Sequence, residues 1–371
     1  MIPAPGGTGR ICVFGTFDAD RHPRIEVLAR GLAAHGAEVV RCNVPWRVPT
    51  SARVAATRRP WRWPLLLVRL VACWVRLVAG ARRVGPVDVV VVGYLGVLDV
   101  HLARLLWRRA TLVLDHLAPA TGTVEDRFGP GGWRSRIARG LDRAATRRAD
   151  VTVVDTDEHR EGVEGRSLVV PVGAGDAWFV EGAPEPATGP LTVVFFGLFT
   201  PLHGAVVIAD AVGRALDEGA ALEVTMVGGG QDEPACRAIL AGRPEVRWRG
   251  WVEAAALPGL VARHDVCLGI FGTTAKAQRV VPNKVYQGAA AGCAVVTSDT
   301  PPQRRALGEA GVHVPGGDAA ALAAVLLDLD RDRQRLGAAR RAARARAEEA
   351  FRPAAVTATL AGELGLDPAD A

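Results

Sequence analysis

The chain has 371 residues, 49% hydrophobic and 23% charged, long enough for two domains of ordinary size with buried cores. Its six cysteines are scattered, with no CxxC pair and no histidine at ligand spacing, so neither a disulfide framework nor a metal site is expected and the protein reads as reduced and cytoplasmic. The net charge of +6 comes from 45 basic against 39 acidic residues, and only two of the 45 are lysine.

The opening MIPAPGGTGR has no apolar stretch ahead of a cleavage site, so no signal peptide is expected. It leads into RICVFG (10–15), the first of a series of short apolar runs: AEVVRC (37–42), VDVVVVG (87–93), ATLVLDH (110–116) and ADVTVVD (149–155). Helical stretches rich in Ala and Arg separate them, the pattern of a parallel sheet buried on both faces.

Between the second and third runs, from Glu38 to Asp88, there is no acidic residue but ten arginines. Arg62, Arg69, Arg76 and Arg83 recur every seven residues, nearly two helical turns, and form one stripe on an otherwise apolar helix that starts near Pro64. Two arginines inside the run argue against a transmembrane span. A helix lying on an anionic membrane surface is the expected reading of this basic segment (41–83). A core helix whose arginines emerge at the domain surface is the alternative. No groove-binding motif accompanies the charge, so nucleic acid is not an expected partner.

A stretch dense in Pro, Gly and Ala (176–190) is expected as a linker after a first domain of residues 1–175. The alternation then restarts with LTVVFFG (191–197), ALEVTMVGGG (221–230), VRWRGWV (246–252), HDVCLGIFG (264–272), CAVVTSD (293–299) and GVHVPGG (311–317). The second domain is expected over 191–352, followed by a helical tail (353–371) set off by Pro353. Two Rossmann-like domains in series are the expected architecture.

Sites in such sheets lie past the carboxyl ends of strands. Candidates are Gly15 and Thr16 after the first strand, Asp115, His116 and Asp126 after the fourth run, then Gly197, His203, Gly204 and Gly229 in the second domain. The segment AKAQRVVPNKVYQG (275–288) holds both lysines, Lys276 and Lys284, with Asn283 and Tyr286, each one of only two of its kind. Proline at a first helical turn followed by Asn283 and Lys284 makes an anion site suited to a phosphate or diphosphate, and Arg279 adds charge.

PNKVYQGAAAGCAVVTSDTPPQRRAL resembles the donor-binding segment of the family-4, retaining GT-B glycosyltransferases. FFGLFTPLHGAVVIADAV, VGGGQDEPACRAIL, RWRGWVEAAALPGLVARHDVCLGIF and the N-terminal FGTFDADRHPRIEVLARGLAAHGAEV carry the same resemblance. It implies an α/β GT-B fold, with two Rossmann-like domains facing across a cleft, the second holding a nucleotide-diphosphate sugar and the first an acceptor. Where the family commonly has two glutamates eight positions apart, this chain has Arg279 and Gln287. Gln287 retains donor and acceptor capacity toward a ribose; an arginine cannot imitate a carboxylate.

The resemblance implies a retaining hexosyl or related transferase whose donor is a UDP- or GDP-linked sugar, with no cofactor besides it. Lys284, Arg279, His116 and Asp115 are the expected catalytic side chains. Gly197, His203, Gly204, Gly229, Lys276, Asn283, Lys284 and Gln287 are expected around the donor, and Gly15, Thr16 and Asp126 on the acceptor side. The acceptor is expected to be a glycan, a lipid-linked sugar or a small molecule, the lipid-linked case placing the protein at the inner face of the membrane. The missing glutamates leave a silent nucleotide-sugar-binding scaffold as an alternative. An epimerase or hydrolase acting on the nucleotide sugar, with no acceptor, is another.

Overall fold

A computed structural model of the chain describes residues 9–18, 22–46, 63–93, 96–117, 119–122, 124, 131–182 and 189–366. The chain divides into two units, Met1–Val170 with Thr357–Ala371, and Pro171–Val356.

Unit 1 is built on six parallel strands: β1 (Arg10–Gly15), β2 (Glu38–Asn43), β3 (Val89–Val92), β4 (Thr111–Asp115), β5 (Val151–Val154) and β6 (Ser167–Val169). Their spatial order is β2-β1-β3-β4-β5-β6. β3 and β5 are buried throughout, which is why they are written as unbroken Val and Thr with no alternation. The first five coincide with the apolar runs of the sequence. β6 is absent from those runs, because three half-buried residues at a sheet edge carry no period to read.

Helices α1 (Arg24–Ala34), α2 (Trp63–Val84), α3 (Asp99–Leu106), α4 (Trp133–Arg148) and the short α5 (Asp157–Arg160) connect these strands. Leu77 and Ala81 of α2, Val100 and Ala103 of α3, and Ala145 of α4 share one core with Phe14, Val92 and Leu114. These three helices therefore form one layer on one face of the sheet, with α3 packed between α2 and α4. Pro64–Val84 is long and apolar enough, by length and composition, to cross a membrane. Its Leu66, Leu70, Leu77 and Ala81 are nevertheless buried within unit 1. Arg69, Arg76 and Arg83 are exposed, whereas Arg62 lies outside the described residues.

Unit 2 carries β7 (Leu191–Leu198), α6 (Ala205–Asp217), β8 (Leu222–Gly229), α7 (Glu233–Ile239), β9 (Val246–Arg249), α8 (Leu257–Val261) and β10 (Val266–Leu268). It continues with α9 (Asn283–Ala290), β11 (Ala294–Ser298), α10 (Pro301–Leu307), β12 (Gly311–Val314), α11 (Ala319–Arg331) and α12 (Arg333–Ala350). A last helix, α13 (Pro353–Glu363), begins at the expected proline, and its residues from Thr357 group with unit 1. The sheet order is β12-β11-β10-β7-β8-β9, all parallel.

Of the expected linker, 183–188 lie outside the described residues, while Trp178 stacks on Phe196 with ring centroids 5.7 Å apart. In both units the strand order reverses beside the first strand, between β1 and β3 and between β7 and β10. Such reversals open a crevice at the carboxyl ends, where open α/β sheets bind ligands.

Candidate functional site

β7 ends in Gly197 and Leu198 at the reversal of unit 2. Gly197 has φ +130°, and a methyl group there would lie 3.3 Å from Lys284 Nζ. Five residues separate the end of β7 from Gly204, which caps the N-terminus of α6 in the left-handed region at φ 65° and ψ 37°. A Cβ on Gly204 would come within 2.6 Å of the Phe271 carbonyl carbon, so the loop after β7 and the loop after β10 pack backbone to backbone. The Phe271 N–H donates to the His203 carbonyl at 3.0 Å, tying the same two loops. The sequence needs glycine here because no side chain fits between the loops.

His203 hydrogen-bonds through Nδ1 to the Leu198 carbonyl, an arrangement that places the proton on Nδ1 and leaves Nε2 as an acceptor. Burial, and then the neighbouring Lys284 charge, push its pKa down to about 3, so it is neutral throughout the physiological range. The Lys276 charge adds to that depression.

Lys284 stands in the first turn of α9, whose start is set by Pro282 at φ −73° and ψ 153°. Its side chain runs inward. It is 4% exposed, and Nζ has no hydrogen-bond partner among the described residues. The ammonium lies 3.9 Å from the centroid of the Phe195 ring. Burial pulls its pKa down to about 7. A buried amine without a hydrogen-bond partner among the described residues, carried by the first turn of a helix and aimed at the end of β7, has the charge and the position to meet an anion.

The other expected donor residues lie on the segment leading into α9, on α9 itself and at the β8 end. Arg279 closes a 3-10 turn, Ala277–Arg279, that Lys276 precedes. Asn283 is the first residue of α9, and Gln287 is buried one turn further along. Gly229 sits over the Glu233 carboxylate at the β8 end. Tyr286 turns away into the core, meeting Phe351 edge-on at 4.8 Å. Phe195 is the residue that sequence reasoning misses, since one aromatic in a buried strand is indistinguishable from core.

In unit 1, Thr16 lies at the β1/β3 reversal. Its N–H and hydroxyl both donate to Asp99 Oδ2, at 2.7 and 2.8 Å, while Trp74 Nε1 donates to Oδ1 at 2.8 Å. Burial raises the Asp99 carboxyl pKa against these bonds. Gly15 places its backbone against the same carboxylate, 3.1 Å from where its Cβ would stand. Asp99 therefore orders the loop, and nothing in the sequence ties it to Thr16, 83 positions away.

Asp115 is buried and accepts from Arg24 Nε at 2.7 Å, and Arg24 NH2 donates to the Val170 carbonyl at 2.9 Å. His116 is buried with Nε2 3.5 Å from Asp142. Burial by itself would raise the Asp142 carboxyl; the His116 ring, the Thr121 hydroxyl and two backbone amides outweigh it and lower its pKa. Asp126 lies outside the described residues. The structure thus gathers Asp115 and His116 into internal pairs, with Gly15 and Thr16 at the strand reversal.

Residues 190–332 match the family described as Glycosyl transferases group 1. No curated protein matches the chain by sequence. Among solved structures, the chain is similar to a sucrose-phosphate synthase from Thermosynechococcus elongatus, with TM-score 0.70, 16% identity, and coverage of 96% of this chain and 98% of that one. Anabaena HepE, solved in complex with UDP and glucose, gives TM-score 0.68 and 14% identity over 96% of this chain and 99% of its own. The N-terminal domain of a trehalose-6-phosphate phosphatase from Candida albicans gives 0.66 and 11% over 96% of each. Names this different on one fold show that shape alone does not set the reaction. What they establish together is that the chain has the two-domain, Rossmann-like GT-B fold, and that residues 190–332 match a group 1 glycosyl transferase domain.

Proposed function

We propose that the protein moves a sugar from a nucleoside-diphosphate sugar to an acceptor hydroxyl, with retention of configuration and with UDP- or GDP-linked sugars as donors. The observation that carries this reading is Lys284, a buried amine without a hydrogen-bond partner in the first turn of α9, against the end of β7. The group 1 match over 190–332 supports it, as does the binding of UDP-glucose by HepE.

In the proposed reaction the bond from the anomeric carbon to the diphosphate oxygen breaks and the oxygen keeps the electron pair. The acceptor oxygen bonds to the anomeric carbon on the same face, and its proton passes to the departing phosphate. Charge on that phosphate is the main thing to stabilise. Lys284, Lys276, Arg279 and the amides at the α9 and α6 starts do so, and no cofactor besides the donor is invoked. His203, neutral, offers Nε2 to a sugar hydroxyl. On the acceptor side Thr16 is the contact group, while Asp115 and His116 act as positioning residues through Arg24 and Asp142.

The acid-free segment and the outward arginines of α2 support an acceptor that is lipid-linked or presented near an anionic membrane, with the protein at its cytoplasmic face. A thermal-shift panel of UDP, GDP, ADP and CDP tests the donor site, because a ligand of the folded state must stabilise it. UDP or GDP is expected to raise the Tm. No shift with any of the four sinks the reading. Donor consumption without an acceptor would instead identify a hydrolase or epimerase, and NMR of the product anomer checks retention.

A further inference from the structure

We infer that the protein docks on anionic lipid through a composite face of three helices, α2, α3 and α4, with Trp133, Ile137 and Leu141 of α4 as a second anchor beside α2. This rests on the membrane-proximal acceptor proposed above and extends it to a part of the chain that carries no acid-free segment.

Ten of the fourteen exposed large apolar side chains among the described residues lie on these helices or at the start of α3, so the exposure is concentrated and not scattered. On α2, Leu65, Val68 and Val75 are 57%, 64% and 64% exposed. On α4, Trp133, Ile137 and Leu141 recur every four residues, one stripe along the helix. The stripe faces out because Ser135, Ala138, Asp142, Ala145 and Thr146 occupy the buried side. Leu105, 59% exposed, lies on α3, the helix that packs between the two.

The charge on the same layer has one sign. Its only carboxylates, Asp99 and Asp142, are buried and accept hydrogen bonds from inside unit 1. Arg69, Arg76 and Arg83 flank the outward apolar side of α2, exposed and without an ion-pair partner among the described residues; Arg136 stands likewise on α4. Arg143 and Arg147 of α4 are engaged by Glu164. Apolar side chains and a tryptophan on a layer with exposed guanidinium groups match the boundary between headgroup and acyl chain of an anionic bilayer. The inner side of α2 is committed to unit 1, through Leu77 and the Trp74 bond to Asp99, so α2 serves as a surface element and not as a span.

The test is sedimentation with phosphatidylcholine vesicles, with and without phosphatidylglycerol. It uses the full chain, a Leu65→Ser/Val68→Ser/Val75→Ser variant and a Trp133→Ser/Ile137→Ser/Leu141→Ser variant. All six substitutions are at exposed sites; circular dichroism and the UDP or GDP thermal shift verify each fold. The expected result is binding that requires phosphatidylglycerol, weakens with salt and drops at least tenfold in either variant. Binding lost in the α2 variant but unchanged in the α4 variant overturns the composite face while leaving the membrane reading intact. No binding by the unaltered protein overturns both. Retention after carbonate washing identifies a span and overturns the proposal, as does a vesicle-free dimer that the α4 variant dissociates.

Discussion

Lys284 and Phe195 are stacked inside unit 2, the ammonium nitrogen 3.9 Å from the ring centroid and without a hydrogen-bond partner. The ring quadrupole offsets only part of the lost hydration, which is why the amine titrates near neutrality. Such a group weakens the empty protein, and the proposed donor site supplies a counter-charge for it.

Replacing Lys284 by Met is therefore expected to separate stability from function. Urea denaturation should show the empty protein gaining about 1–3 kcal/mol at pH 7, since an uncompensated buried charge is removed. Calorimetric titration should show nucleoside diphosphate binding weakened by about 1.5–3 kcal/mol, the loss of a charge-assisted hydrogen bond. Lys284→Arg should recover only part of that, because a planar fork does not fit where a compact ammonium does. Unchanged affinity in a folded Met variant would remove Lys284 from the donor site.

The same depressed pKa sets a pH dependence. In the empty protein Lys284 titrates at about 7, and a bound diphosphate must raise that value by supplying a counter-charge. The complex then holds more protons than the free protein above pH 7, so affinity falls as pH rises from about 7 toward the alkaline range, with proton uptake on binding. For the empty protein the unfolded chain binds the extra proton, so stability increases from about pH 7 up to the ordinary lysine range and is lowest below it. Titration at pH 8 in buffers of different ionisation enthalpy measures the uptake. His203 adds no step near pH 6.5, because burial and Lys284 hold it near 3.

Gly197→Ala is expected to cost about 1–3 kcal/mol of stability, since φ +130° is strained for any residue with a Cβ. The added methyl would also press on Lys284 Nζ, so diphosphate affinity should fall at the same time. A variant that binds normally would show that the strand end can shift without disturbing the lysine.

Arg24→Met should destabilise the protein by about 3–5 kcal/mol by stranding the Asp115 carboxylate inside unit 1. The double change Arg24→Met/Asp115→Leu should restore most of that loss, because no charge is then left unpaired. If the stable double variant keeps its donor affinity but loses turnover, Asp115 acts on the acceptor side; if turnover is also kept, the pair serves only the fold.

The alternation of apolar runs and helices was legible because parallel strands buried on both faces must be apolar throughout, whatever stands opposite them. β1 to β5 and β7 to β12 could thus be located from composition and spacing. β6, half-buried and three residues long, leaves no such trace. The cationic segment at the start of α9 was legible for a different reason: in a chain that spells almost every cation as arginine, two lysines beside a helix-starting proline stand out.

Partners across the fold were not. That Lys284 rests on Phe195, that Thr16 is held by Asp99 and that Arg24 meets Asp115 are contacts between residues 89, 83 and 91 positions apart. Periodicity tells which side of an element is apolar; it carries no record of which side chain another element brings against it. The sequence by itself determined two Rossmann-like sheets and a cationic helix start. Only the tertiary structure decided that this cation is buried, with its pKa pulled down by that burial, and that α2 has a commitment on one side and an open apolar face on the other, because burial and pairing are properties of neighbours and not of order along the chain.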